Sequence, residues 1–269
     1  MKRLEKIKIL TLNFTKNFMR SRAGKSLIYF IPLFFLIMLL SLSSSLSPEK
    51  LFLNLGSSIL YLVILFLSIF SSCESITGEI KENTIQFLFT KPLKPGEIII
   101  SKWLSVNLIT FTTLFSYLLV LHFFGLIFFK KYFFSLDISI ATLFLGSLLL
   151  SSFTFFLTTL FPSISTAIFI LIFGTGLIDV LLKALLAAKT YNLIGLIAKK
   201  VGAGILYFFF YLFPSFNNVT LEADEILLNK TFWKGYLVKF FYVIFCSIFY
   251  LLLSIYIFKV KRKIYFKSI

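Results

Sequence analysis

The chain has 269 residues, 59% of them hydrophobic and 14% charged, with 37 Phe and a formal net charge of +16. A soluble domain of this size needs a polar surface that this composition cannot supply, so the chain reads as an integral membrane protein. The positive charge sits mainly at the two ends and in one internal loop, a pattern that fits anionic lipid head groups and argues against nucleic acid as a partner.

Residues 2–20 place Leu4, Ile7, Leu10, Phe14 and Phe18 three or four apart, with Lys6, Lys16 and Arg20 between them. This spacing predicts an amphipathic helix lying in the cytoplasmic interface and leading into the first span. A plain basic anchor would use the same residues. Ala23-Gly24-Lys25-Ser26 ends like a phosphate-binding loop, but Met19 stands where that signature needs its first glycine, and no strand precedes it. No nucleotide site is read there.

Six apolar runs follow, at 27–46, 55–73, 103–129, 138–160, 164–186 and 236–258. Each is close to the roughly 20 residues that a helix needs to cross about 30 Å of hydrocarbon. Helices satisfy their own backbone groups in lipid, and the runs lack the alternation of barrel strands. The fold class predicted is an all-α integral membrane protein with six transmembrane helices, one domain over 1–269. The first run is longer than the core of a cleavable signal and has no small-residue cleavage site after it, so it reads as a retained anchor. Pro162 lies in a very short connection, which makes spans four and five an antiparallel hairpin. With an even number of spans, the segments 1–25, 74–102 and 259–269 share one side. Their Lys and Arg residues place that side, and both termini, in the cytoplasm.

The loop at 74–102 is the polar device in an apolar chain. Asn83 and Gln86 have the spacing of a capping box and would start a helix over 84–90. Pro92 ends it by restricting Lys91, and Ile85, Leu88 and Phe89 give it an apolar side. Pro95 at a first helical position and Glu97 in the first turn then open a new helix that runs through Lys102 and Trp103 into span three. An apolar knob on the cytoplasmic side either lies on the membrane surface or docks into a protein partner.

Charges inside spans are few. Asp179 and Lys183 lie four apart in span five, on one helix face, and read either as a functional pair or as a self-neutralised pair with Lys183 reaching to water. His122 in span three stands alone among apolar residues, as a neutral hydrogen-bonded histidine or a proton relay. Cys73 and Cys246 have neither disulfide nor metal spacing and read as small packing residues. The outer loop at 187–235 contains an apolar run at 201–213. At 1.5 Å per residue it is too short to cross and reads as a re-entrant or interfacial segment ended by Pro214.

Glu79, Glu82, Asn83-Thr84-Ile85, Leu88, Pro92, Lys94 and Ser101-Lys102, placed after the second apolar run, resemble the E-x-x-x-G-T-L…L…P…R…G-K run of ABC-2 type transporter permeases. The layout of spans, amphipathic start, outer apolar segment and basic tail is also similar to that family. Asn83, Lys94 and Ser101 depart from its Gly, Arg and Gly; Asn tolerates the left-handed backbone that Gly would supply. The resemblance implies an export permease in the cell's inner membrane, with no catalysis on this chain. The loop would be a coupling helix, with Glu79, Glu82, Thr84, Ile85, Leu88, Phe89, Pro92 and Lys94 meeting a separate ATP-binding cassette subunit. ATP and magnesium would belong to that subunit, with no cofactor on this chain. A second permease chain, as a homodimer, would complete the substrate path. A stand-alone secondary carrier or channel is the alternative. It would need polar residues near mid-membrane, for which His122 and Asp179 are the candidates, and no inverted halves are evident.

Overall fold

In the computed structural model, the described residues are 3–20, 48–81, 93–163, 166, 168, 170 and 232–267. The predicted spans 27–46 and most of 164–186, and the apolar segment 201–213, lie outside them. Five helices are present among the described residues: α1 (Arg3–Arg20), α2 (Pro48–Lys81), α3 (Pro95–Phe129), α4 (Phe134–Leu160) and α5 (Phe232–Lys267). Each of α2 to α5 contains a stretch long and apolar enough to cross a membrane, so the chain has the build of a multi-pass membrane protein.

Helices α2 to α5 overrun the apolar runs at six of their eight ends, and stop with them at Phe129 and Leu160. Hydropathy marks only the apolar part, whereas a helix continues until its backbone is capped. At the end of α3, Lys130 takes a left-handed conformation (φ 52°, ψ 29°) and its N–H donates to Leu126 O at 3.2 Å. Residues 130–133 then turn the chain directly into α4, which makes the two helices antiparallel. Hydroxyl groups within the spans fold back on the preceding turn, as in Thr110 to Val106 O, Thr154 to Leu150 O and Thr158 to Thr154 O. This satisfies them without an external partner, and it is why a helix as rich in Ser and Thr as α4 can be buried.

α4 is the central helix. Of its span, 72% is buried within the protein, against 22% for α3 and 28% for α5. One apolar core joins Phe52, Leu60 and Ile64 of α2, Tyr117 and Leu121 of α3, Leu143 and Phe153 of α4 and Tyr250 of α5. A second, smaller core joins Ile76, Ile98, Ile99, Val106, Phe155 and Phe258. Trp103 Nε1 donates to Ser152 Oγ at 2.9 Å, and Ser151 Oγ to Asn107 Oδ1 at 3.1 Å, so polar rungs fix α3 against α4. Lys261 Nζ donates to Leu160 O at 2.9 Å, closing the end of α4 from α5. The bundle therefore has a basic end, where α2 finishes and α3 begins, and an opposite end at the 130–133 turn, where Lys131 Nζ meets Glu49 Oε1 at 2.7 Å.

α1 packs against α3. Its covered side differs from the predicted apolar stripe at two positions. Ile7, Leu10, Phe14 and Phe18 are partly covered, but Leu4 is 80% exposed and Thr11, outside the stripe, is buried.

Candidate functional site

The sequence singles out the connection between α2 and α3. Glu79 lies in the last turn of α2. Glu82, Thr84, Ile85, Leu88, Phe89 and Pro92 lie outside the described residues, as do Asp179 and Lys183 of the predicted fifth span. Lys94 is exposed, with an extended backbone (φ −78°, ψ 144°), immediately before α3. The expected start at Pro95 is met. Pro95 needs no hydrogen-bond acceptor at the first helical position, and the Lys94 backbone N–H donates to Glu97 Oε2 at 3.0 Å. The Glu97 side chain is buried, so the entry to α3 is held firmly from its first turn.

Five residues beyond Glu97, Lys102 is only 3% exposed. Its Nζ donates to Ser75 O of α2 and lies 5.2 Å from the ring centroid of Phe14 of α1. A buried ammonium is costly unless paired, and here a carbonyl and the negative face of an aromatic ring supply partners. One helical turn further along α3, Ser105 Oγ lies 2.9 Å from Thr15 Oγ1 of α1. The basic end thus joins three helices through polar contacts next to the connection at 82–92. The sequence pairs Lys102 with Ser101 in a motif but carries no sign of its burial, because a Lys at the membrane boundary looks the same whether it reaches water or a neighbouring helix.

No protein-family model matches this chain, and no curated protein matches it significantly.

The opposite end of the bundle holds the second group of interest. His122 does not stand alone. Its Nε2 lies 2.8 Å from Asp137 Oδ1, and the side chains are 13% and 24% exposed. A carboxylate only accepts, so Nε2 carries the hydrogen. Tyr132 Oη donates to Asp137 Oδ2 at 2.6 Å, and its ring stacks on the imidazole at a centroid distance of 4.2 Å and 8° between planes. The hydrogen bond to Asp137 raises the Tyr132 pKa above its ordinary value. Among the described residues, His122 Nδ1 is buried without a hydrogen-bond partner, and no three His, Cys, Asp or Glu side chains come together as metal ligands. This cluster ties α3 to α4 across their turn. Asp137 falls one residue before the apolar run at 138–160, which is why a search for charges within the runs passes over it.

Proposed function

We propose that this chain is the membrane-spanning permease subunit of an ATP-driven ABC-2 type exporter, acting as a pair of chains with separate ATPase subunits. The observation that carries this reading is the build of the basic end. A polar connection containing Ile85, Leu88 and Phe89 sits between the end of α2 and a firmly capped α3. Lys102 then links that entry to α1 and α2. A partner that grips the connection would move two candidate spans and α1 together rather than deform a loose loop. The basic end faces the cytoplasm in this reading, and the exposed faces of α3 and α5 are available to lipid, to the spans outside the described residues or to the second chain. ATP and magnesium are bound by the ATPase; this chain supplies the docking surface and the spans that respond.

The stand-alone carrier or channel is the second reading, and the His122–Asp137 pair is the feature that favours it. The pair lies about 10 Å from the end of α3, taking 1.5 Å per residue from His122 to Phe129, rather than at mid-membrane. A carrier would be expected to hold its coupling site nearer the middle. Purification of the tagged full chain from its own membranes in mild detergent separates the two readings. The permease reading expects vanadate-sensitive ATP hydrolysis in the eluate, with an ATP-binding cassette subunit identified by mass spectrometry. A chain that purifies without an ATPase, and takes up or releases solutes on an imposed proton or sodium gradient, is a carrier.

A further inference from the structure

We infer that Lys102 is a positioning residue that locks α1 and the basic ends of α2 and α3 into one moving body. The strongest sign is the mismatch between residue and environment. Lysine at a boundary normally extends its ammonium to water, yet Lys102 turns inward and is 3% exposed. Two of its contacts lie on two other helices: the Ser75 carbonyl on α2 and the face of Phe14 on α1. An aliphatic residue of the same length would fill the space, but would hold neither a carbonyl nor a ring in a fixed direction. The ammonium therefore gives directional attachment where apolar packing alone would allow α1 to slide.

Two neighbouring features make the lock effective. The Thr15–Ser105 contact pins α1 to α3 a second time, which restrains rotation about Lys102. Glu97 fixes the first turn of α3 to Lys94, so a displacement of the preceding connection is passed to Lys102 over five residues of continuous helix. The source of that displacement, an ATPase on the connection, rests on the permease reading; the lock itself does not.

The test uses the full chain in lipid nanodiscs with Cys73 and Cys246 replaced by serine. Spin labels go on Asn17→Cys of α1, whose side chain is exposed, and Gly78→Cys of α2, where a Cβ meets nothing within 4 Å. The lock predicts a single narrow distance distribution that vanadate trapping of a bound ATPase leaves unchanged. Lys102→Met should lose the single peak and give a broad spread. Lys102→Arg should restore it, because a guanidinium can both donate to the carbonyl and stack on the ring. Phe14→Leu leaves Lys102 in place and should broaden the distribution as well, which covers the case in which Lys102→Met fails to fold. Superimposable distributions for wild type, Lys102→Met and Phe14→Leu would overturn the inference. If no ATPase accompanies the wild-type chain, the permease reading fails, and the distributions of the chain alone still decide the lock.

Discussion

Replacing Asp137 with alanine tests whether the polar cluster at the 130–133 turn holds α3 to α4. Asp137 accepts from His122 Nε2 at 2.8 Å and from Tyr132 Oη at 2.6 Å. A hydrogen bond to a charged acceptor contributes about 1.5–3 kcal/mol, with the lower part of that range fitting a carboxylate that keeps some contact with solvent. The His122 bond alone therefore predicts a loss of about 2 kcal/mol, and its part-buried N–H would be left without this acceptor. At about 2–4 °C per kcal/mol for a chain of this order of size, the midpoint should fall by about 4–8 °C. Thermal unfolding read with a thiol-reactive fluorophore suits this chain, because Cys73 is buried and Cys246 half-buried until the bundle opens. Asp137→Asn, whose amide keeps one acceptor oxygen, should fall between wild type and Asp137→Ala. A midpoint for Asp137→Ala equal to that of wild type would show that the cluster contributes nothing to the α3–α4 hairpin.

Two glycines should respond in opposite directions to alanine. A Cβ at Gly56 would lie 3.4 Å from a terminal carbon of Leu121, so Gly56→Ala should stabilise by up to about 1 kcal/mol through helix propensity. At Gly125 it would lie 3.2 Å from the Phe133 ring and 3.4 Å from Lys131 O, so Gly125→Ala should destabilise by about 1 kcal/mol, read in the same thermal assay. Lys130→Gly should raise the midpoint, since glycine adopts the left-handed conformation at φ 52° without cost, and Lys130→Val should lower it. The pH dependence follows from Tyr132, whose pKa is raised in the folded protein by its bond to Asp137. Its contribution is complete below the ordinary tyrosine value near 10 and is lost as pH rises through the raised value, so Tyr132→Phe should flatten the alkaline fall of a stability–pH profile.

The apolar runs at 55–73, 103–129, 138–160 and 236–258 were legible because a membrane demands length and apolarity from any helix that crosses it. The start of α3 was equally legible, since Pro95 and Glu97 are local signals that act within one turn. What could not be read depends on which helices become neighbours. Asp137 sits outside its apolar run, and only the tight turn at 130–133 brings it to His122. Lys102 looks like any boundary lysine until α1 and α2 close over it. Leu4 fits the apolar period of α1 but is exposed, and the polar contacts of α1 with α3 run through Phe14 and Thr15. Periodicity finds a face; it does not say which part of that face a neighbouring helix will use.

If the connection between α2 and α3 receives an ATPase, Leu88→Asp should dislodge it. The substitution places a carboxylate in the apolar side of the predicted 84–90 helix, where burial against a partner would cost several kcal/mol. The chain should still insert, because the connection lies outside the apolar runs. Glu82→Ala serves as the mild control, since a single rim charge contributes little. Co-purified ATPase is measured for wild type and both variants. Wild type and Glu82→Ala should retain the ATPase, and Leu88→Asp should lose it, or retain it with hydrolysis no longer linked to movement of the spans. Leu88→Asp holding the ATPase as tightly as wild type, with that linkage intact, would contradict docking at this connection.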